Sequence, residues 1–458
     1  MLVIRDLQQC LLDTILPPEI LVLNDELTRV DSILDDDRFT LPFIKKFNTS
    51  TGRPTTPVET YLRLMYLKFR YQLGYETLVQ EVSDSIKWRK FCHIPLDKKV
   101  PHSTTLIKLT KLYGAEMVEE LNNLLIQKAA EEKIIRGRNL RVDTTVVPAD
   151  IHYPTDPSLL SDGIRVITRT VKQIKESGAA VRTEFHNRQR TVKKKILSIT
   201  KILKRRTGEA YNEVKQVTEQ VMKTAQNVVG NASRILKNTG HYLWRQGQNA
   251  SAETKRLAKK LEDAITITEK VIEQTTQVQS GNPHVKDRVV SLFDRKARPI
   301  RKGKLSAPTE FGRKVLIQDS EEHVVTGYRV YEGNPSDDSL LTDAVDLHTR
   351  NVGRVPVNVA TDRGFGTKKN EQDLTAQGVK RCSLPRKGKI GPERKRYQSQ
   401  PWFKRLQRWR AGGEAIISLL KRKYGLNRCR SRQTDGTETW VGYGVLAYNL
   451  KRIATLMV

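Results

Sequence analysis

Three carboxylates in distant parts of the chain have the residue type and the setting for chemistry on a hard metal ion. Glu414 is the lone acid in an otherwise cationic stretch, Trp402 to Tyr424, with the sequence WFKRLQRWRAGGEAIISLLKRKY. Asp143 lies within the β-branched run LRVDTTVV, and Asp362 follows the apolar run Val355 to Ala360. Because a carboxylate is a poor strand former and costly to bury, acids in such settings need a cation or another strong partner.

The stretch around Glu414 predicts a helix with two cations on the side of the acid. Arg410 precedes Glu414 by four residues and Lys421 follows it by seven, so all three can share one helical face. Gly412 and Gly413 weaken the helix locally, and an apolar stripe on the other side would hold it against a sheet. A surface helix with solvated ion pairs would also explain this stretch taken alone. The two strand aspartates favour a functional site.

The elements expected from residue 140 onward alternate as in an α/β sheet. Their order is a strand with Asp143, a long helical insertion, a hairpin of two strands, a helix, a strand ending at Asp362, a helix, a short strand and the Glu414 helix. The carboxyl ends of strands in such a sheet face a shared crevice, which is where a ligand site is expected. If Asp143 lies on a neighbouring strand and the Glu414 helix packs across both strands, the three carboxylates converge.

Three converging carboxylates need a counter-charge. Because these side chains provide only oxygen ligands, Mg²⁺ or Mn²⁺ is favoured over zinc. Two such ions about 3.5–4 Å apart would activate a nucleophile and stabilise the leaving oxygen in a phosphodiester displacement. Asp150 and Asp156 compete with Asp143 for the first position, and Glu393, in a basic loop, is a weaker competitor for the third.

Composition indicates a large basic protein with a polyanionic partner. The 458 residues suffice for two to four domains, and Lys plus Arg number 81 against 51 acids, a net charge of +30. Nucleic acid is the first candidate partner. No stretch approaches eighteen apolar residues, and the N-terminus carries charges and a double proline, so we expect no membrane span and a soluble, cytoplasmic protein.

The four cysteines, Cys10, Cys92, Cys382 and Cys429, are scattered without CxxC spacing. This pattern predicts neither a zinc site nor a disulfide framework.

The first 130 residues predict several short helices rich in Lys, Arg, Trp and Tyr. They are compatible with a helix-turn-helix that binds DNA and equally with a plain all-α packing domain. We expect a helical domain over 1–130, followed by the first part of an α/β core over 139–155.

Residues 156–284 predict a basic helical insertion, and 285–458 the remainder of the core. Sparse apolar residues at heptad-like steps favour an antiparallel bundle of three or four long helices, with breaks at Gly178, Gly208, Gly230 and Gly240. Its basic run Lys193 to Lys195, together with the cations of 201–206, could bind phosphates or form a solvated face.

With these motifs in this order, the chain resembles the DDE-type insertion-sequence transposases, which have a ribonuclease H-like core. One large bacterial cut-and-paste group carries the signature Tyr, two residues, Arg, three residues, Glu, six residues, Lys. Arg410, Glu414 and Lys421 match its last three positions, whereas Gln407 stands at the tyrosine position. The contexts VDTT around Asp143 and ATDRGF around Asp362 resemble those of the first two acids of the family.

The resemblance implies residue roles. Asp143, Asp362 and Glu414 would be the catalytic residues and the ligands of Mg²⁺, or Mn²⁺ in its place, with two ions expected. Arg410 and Lys421 would hold DNA phosphate or the flipped, unpaired end of the element. Further DNA contacts are expected from Arg363, Lys404, Arg405 and Gln407.

The resemblance also implies a fold and a function. The expected fold is α/β, a ribonuclease H-like mixed sheet flanked by helices, with an N-terminal all-α domain and a long helical insertion between the first two core strands. The expected activity is binding of terminal inverted repeats, hydrolysis of a strand at each end and joining of the 3′-hydroxyl to target DNA. A homodimer on double-stranded DNA, in a bacterial cytoplasm and associated with the nucleoid, would hold both ends together.

Two alternatives remain open from the sequence. A metal-dependent nuclease on the same core would cut without joining, and a non-catalytic, transposase-derived DNA-binding protein would bind without cutting. Serine and tyrosine recombinases are disfavoured because the motifs centre on carboxylates rather than on a nucleophilic hydroxyl.

Overall fold

The computed structural model describes residues 1–5, 16–301 and 309–457. The chain forms two compact units, one made of Met1–Asp150 with Ile300–Val458 and the other of Ile151–Pro299. Within the described part, Cys92, Cys382 and Cys429 are buried free thiols, so no disulfide forms there. Cys10 lies outside the described residues.

Across the described residues, six strands form one mixed sheet. They are β1 (Asn139–Pro148), β2 (Arg298–Arg301), β3 (Thr309–Ser320), β4 (Val325–Tyr331), β5 (Asn358–Thr361) and β6 (Arg381–Ser383). The central strand β1 pairs antiparallel with β3 and parallel with β5. On the outer sides, β2 and β4 pair with β3, and β6 pairs with β5. The predicted hairpin is therefore β3–β4. The other predicted strands are present in the predicted order, but the sequence did not predict β2, which lies between the helical insertion and the hairpin.

The helices of the first unit flank this sheet. Before the sheet come α1 (Pro18–Leu21), α2 (Asp25–Leu34), α3 (Leu41–Lys46), α4 (Val58–Arg70), α5 (Tyr75–Asp84), α6 (Ile86–Phe91) and α7 (Ser103–Glu131). The second unit holds α8 (Asp156–Glu176), α9 (Gln189–Leu203), α10 (Gly208–Gln246) and α11 (Ala252–Gln279). The later helices are α12 (Leu341–Val352), α13 (Lys368–Ala376), α14 (Pro392–Ser399), α15 (Pro401–Ala411), α16 (Gly413–Lys423) and α17 (Gln433–Leu456).

The sheet separates two apolar cores because side chains of a strand alternate between its faces. Leu140, Val142 and Leu316 pack with α12 and α13 on one face. Ile317 and Val315 belong to the other core, which also contains the apolar residues of α4, α7, α16 and α17. Asp143 therefore lies on the face of β1 that is turned toward α16.

The N-terminal helices share their core with the C-terminal helix. The hydroxyl oxygens of Tyr61 on α4 and Tyr443 on α17 lie 2.9 Å apart in this core. Asn449 on α17 accepts a hydrogen bond from Val325 N at 2.9 Å and donates one to Val325 O at 2.8 Å, which fixes α17 on the β4 edge. The final helix α17 thus packs against the sheet.

The second unit is a bundle of four helices around its own apolar core. The predicted breaks at Gly230 and Gly240 are wrong, because both glycines lie inside the 39-residue helix α10. A glycine inside a helix costs about 1 kcal/mol relative to alanine. The buried stripe Val228, Ala232 and Ile235 keeps this segment helical against its neighbours.

No helix among the described residues is both long and apolar enough to cross a membrane.

Candidate active site

The pairing of β1 with β5 brings the two predicted aspartates to neighbouring positions. Val142 pairs with Thr361 in the parallel register, and Asp143 and Asp362 each follow this last pair by one residue. Neighbouring strands lie about 4.8 Å apart. Both carboxylates are half-buried. Each accepts a hydrogen bond from a nearby backbone N–H, Asp143 from Thr144 and Asp362 from Gly364, at 2.7 Å in both cases.

A cleft of about 530 Å³ opens beside Asp362. Four of the predicted DNA-binding residues line it with the aspartate, namely Arg363, Lys404, Gln407 and Arg410. A narrower cavity holds Asp143, and Arg410 lines that cavity as well. Arg410 therefore connects the surroundings of the two aspartates.

Arg410 has an unused hydrogen-bond donor at this junction. Its Nε is buried and has no hydrogen-bond partner, and its guanidinium makes no ion pair with any described residue. A buried donor without a partner costs about 1–3 kcal/mol. An anionic ligand such as a phosphate oxygen would satisfy it.

Glu414 lies in the first turn of α16, exposed and without an ion pair to any described residue. Its neighbour Gly413 lines the same cavity as Asp143. Among the described residues, the group of three acidic or histidine side chains with ligand atoms within 4.8 Å of one another is Asp31, Asp35 and His93. The structure thus places Asp143 on β1 and Asp362 at the end of the neighbouring strand β5, whereas Glu414 is exposed and lines neither the cleft of Asp362 nor the cavity of Asp143.

The Asp31, Asp35 and His93 group is an ion-pair network with its own cation. The fully buried Arg63 places Nε 2.6 Å from Asp31 Oδ1 and Nη2 2.5 Å from Asp35 Oδ1. Burial disfavours the charged His93 ring, but its bonds to Asp31 and Glu59 outweigh this effect and raise the pKa of His93. The guanidinium supplies the charge that a metal ion would bring, so this group suits an interhelical bridge.

Arg141 joins the strand of Asp143 to the helices that lead to Glu414. Its guanidinium is buried and donates to both oxygens of Asp319, at 2.7 Å and 2.8 Å from Nε. Nη1 donates to Trp409 O at 2.8 Å, and the guanidinium lies 4.8 Å from the centre of the Trp409 ring. Arg141 therefore fixes the end of α15 over β1, two residues from Asp143.

His323 and Asp319 complete this arrangement. Nη2 of Arg141 donates to Nδ1 of His323 at 2.9 Å, and burial together with the Arg141 cation lowers the pKa of His323, which keeps Nδ1 an acceptor. Burial raises the pKa of Asp319 to about 7; Arg141 opposes this rise, and Asp143 adds to it.

The two glycines between α15 and α16 permit this close approach. A Cβ on Gly413 would lie 3.1 Å from Cδ and Nε of Arg141, and one on Gly412 would lie 3.3 Å from Nη1. The sequence predicts one helix that these glycines weaken, whereas the structure has two, since α15 ends at Ala411 and α16 begins at Gly413. Arg410 and Glu414 therefore lie on separate helices. The role of the break between the helices is to let the backbone pass over Arg141.

A further carboxylate that the sequence did not single out, Asp337, lies beside Asp362. A Cβ on Gly364 would lie 2.7 Å from Asp337 Oδ2 and 2.8 Å from Asp362 Oδ1, so the two carboxylates flank the same point. Asp337 Oδ1 accepts from Thr144 Oγ1 at 2.9 Å and lies 2.6 Å from the ammonium of the buried Lys314. In the sequence, Asp337 lies in the turn NPSDD, where nothing except its charge indicates a functional role.

Gln407 also connects elements of the core, and the two remaining predicted DNA-binding residues, Lys421 and Arg405, do not line the cleft. The amide nitrogen of Gln407 donates to Thr361 O at 3.2 Å and to Ser383 O at 2.8 Å, which ties α15 to the ends of β5 and β6. Lys421 lies 4.0 Å from Glu310. Arg405 is exposed and does not line the cleft.

The competing acids are engaged elsewhere or exposed. Asp150 pairs with Arg428 at 2.6 Å, and the buried Asp156 pairs with Arg288 at 3.0 Å inside the second unit. Glu393, expected in a loop, is an exposed residue in the first turn of α14.

Two families match separate parts of the chain. The family described as "Transposase domain (DUF772)" matches residues 18–112, and the family described as "Transposase DDE domain" matches residues 286–450. The chain belongs to the DDE transposases of insertion sequences. The DDE domain of this family has a ribonuclease H-like fold, so the predicted α/β fold class is confirmed.

A curated relative adds a weaker similarity. The chain is 28% identical over 179 residues to a protein of Rhizobium meliloti named "Uncharacterized protein ORF8 in nfe locus", and the similarity covers 37% of this chain and 81% of that protein. No solved structure matches the chain.

Proposed function

We propose that this transposase binds the terminal inverted repeats of its element, hydrolyses the strand at each end and joins the exposed 3′-hydroxyl to target DNA. The observation that carries the proposal is Arg410, whose buried Nε lacks a partner between the surroundings of Asp143 and Asp362. Two neighbouring carboxylates and a free guanidinium suit a phosphodiester substrate, since the cation binds the phosphate that the acids act upon.

The proposed catalytic residues and metal ligands are Asp143, Asp362 and Glu414. Their oxygen-only donor set fits Mg²⁺, with Mn²⁺ as a substitute and two ions expected. When bound, such ions lower the pKa of water and neutralise charge on the phosphate. The protein's own part is to hold the acids in register, to bind the phosphate with Arg410, Lys404 and Arg363, and to keep α16 over β1 through Arg141.

Further parts of the proposal concern assembly and domain roles. We place an end-binding role in residues 1–130, the catalytic core in 139–155 and 285–458, and the basic insertion in 156–284. Lys421, Arg405 and Gln407 would add DNA contacts. A homodimer on double-stranded DNA would hold both ends, in the bacterial cytoplasm and near the nucleoid.

The test is strand transfer of a pre-cut end oligonucleotide into a plasmid with Mg²⁺ or Mn²⁺. The end sequence comes from the DNA that flanks the gene. Wild type is expected to join DNA, whereas Asp143→Asn, Asp362→Asn and Glu414→Gln are expected to bind the end and to lose joining by a factor of roughly 10³ or more, a loss typical of removing essential catalytic groups.

Asp150→Asn is the matched control, since Asp150 lies close after β1 but is exposed and pairs with Arg428. It should join like wild type. If the three triad variants also join like wild type, the assignment of the acids is wrong. Cleavage without joining would favour a nuclease, and binding without either reaction would favour a non-catalytic DNA-binding protein.

A further inference from the structure

Helix α9 of the second unit carries an unusual concentration of positive charge. Residues 188–206 contain nine Lys or Arg and no Asp or Glu. The whole second unit, 151–299, holds 29 Lys or Arg and 14 Asp or Glu, so about half of the chain's net charge of +30 resides there. The charge is thus not evenly spread over the molecule.

The cations of α9 are arranged on one side of the helix. At 100° per residue, five of them fall within an arc of about 100°, on the side opposite the buried Val192, Ile199 and Ile202. This cationic stripe consists of Arg190, Lys193, Lys194, Lys201 and Lys204, all of them exposed. Leu197, 56% exposed, lies within the same arc. From Arg190 to Lys204 the stripe is about 21 Å long, at 1.5 Å per residue.

The cationic stripe has no acidic partners among the described residues. None of its five members makes an ion pair there. Like charges at i,i+3 and i,i+4, as in Arg190 with Lys194 or Lys201 with Lys204, destabilise a helix by about 0.2–0.5 kcal/mol per pair. A partner with closely spaced negative charges would neutralise these cations and remove their mutual repulsion.

Helix α11 of the same bundle has an exposed face on which positive and negative charges are mixed. Its exposed cations Lys255, Lys259 and Lys260 share the surface with Glu253 and Glu262 at helical spacing. Mixed charge of this kind is typical of a surface that faces only water. The cationic stripe lacks this mixing.

We propose that the cationic stripe of α9 is a binding surface for the phosphate backbone of duplex DNA and that it reads no base sequence. Duplex DNA carries one phosphate per about 1.7 Å of helix axis, so the length of the stripe can face several phosphates. Lysines on flexible stems provide charge without the fixed geometry that base recognition needs. The inference rests on the proposed function, because it assigns a contact to the DNA that the transposase handles.

The test compares two triple variants of the full chain by DNA binding as a function of salt. The first is Lys193→Gln, Lys194→Gln, Lys201→Gln in the stripe; the matched control is Lys255→Gln, Lys259→Gln, Lys260→Gln in α11. Both remove three charges from exposed helical positions, and Gln is nearly as good a helix former as Lys. Two duplexes are used, the element end and a scrambled sequence of equal length.

The stripe variant should bind both duplexes roughly tenfold or more weakly, and the slope of log affinity against log salt should become shallower by about 0.9 for each phosphate that the variant no longer neutralises. The control should stay within about twofold of wild type, as expected for lysines that do not touch the DNA. Equal losses of affinity for the two triple variants would overturn the inference, as would a loss confined to the element end.

Joining activity separates this inference from the proposed function. If wild type joins DNA while the stripe variant binds and joins as well as wild type, the stripe proposal fails and the transposase proposal stands. If wild type neither binds nor joins DNA, both fail.

Discussion

At the scale of single residues, the site depends on which side chains the sheet brings side by side. Asp143 and Asp362 are 219 positions apart in the sequence numbering, but each follows the last residue pair of β1 with β5, Val142 with Thr361, by one residue. Asp143 is held by the pairing of β1 with β3, opposite Ile317. Asp362 lies just past the end of β5 and accepts a hydrogen bond from Gly364 N.

The Asp337 and Lys314 pair gives a prediction at this scale. Asp337→Asn leaves the buried Lys314 without its counter-charge, and breaking such a pair typically costs about 3–5 kcal/mol. We expect a clear loss of unfolding free energy in urea. The double variant Asp337→Asn, Lys314→Met should recover most of it, because no buried charge remains unpaired.

Joining activity then decides what Asp337 does. If the double variant regains stability and remains inactive, Asp337 acts within the site beside Asp362. If it regains both, the pair only stabilises the fold.

At the scale of elements, the approach of α16 to β1 depends on a glycine. An added Cβ at Gly413 would lie 3.1 Å from Arg141, which is tighter than ordinary contact, so α16 must move by a few tenths of an ångström. Small displacements of catalytic groups are costly, and we expect Gly413→Ala to lower the joining rate by roughly tenfold. DNA binding by the variant should stay close to wild type.

Gly230→Ala is the control substitution for this prediction. Nothing lies within 4 Å of a Cβ at Gly230, which is inside α10, so alanine should leave joining unchanged and stabilise the second unit by up to about 1 kcal/mol. The measurements are joining rates and urea unfolding of both variants. If Gly413→Ala joins at the wild-type rate, the close approach to Arg141 is not needed for catalysis.

At the scale of the whole molecule, a buried histidine predicts how stability changes with pH. His348 is fully buried between Thr326 and the carbonyl of Gly137, and burial lowers its pKa to about 4. The unfolded chain takes up this proton near pH 6.5, whereas the folded chain resists it. Stability should therefore fall as pH decreases from about 6.5 to about 4, by about 3 kcal/mol from this residue.

The variant His348→Asn should show a flatter decline over the same range, although its stability at neutral pH is lower. His93 acts in the opposite sense, since its pKa is raised and its stabilising effect is lost as pH increases. Urea unfolding at about pH 7 and about pH 4.5 measures the loss of unfolding free energy over this range for wild type and for His348→Asn. An equally steep decline in wild type and His348→Asn would contradict the prediction.

Local sequence signals predicted the hairpin, the order of the elements apart from β2 and α14, and the strand and helix settings of Asp143, Asp362 and Glu414. These features are local, because β-branched runs, helical spacing and glycine breaks act over a few neighbouring residues. At Gly230 and Gly240 the prediction of a helix break is wrong, because packing against the other helices of the bundle keeps this segment helical.

The surroundings of the acids depend on tertiary contacts. The bond of Arg141 to Asp319, the position of Asp337 beside Asp362 and the passage of Gly413 over Arg141 each join residues far apart in the chain. No periodicity encodes such contacts, since they depend on strand register and on how helices pack over the sheet. The spacing predicts that Glu414 and Arg410 share a helical face, but the two residues lie on separate helices. Arg410 lines the surroundings of both aspartates, and Glu414 is exposed.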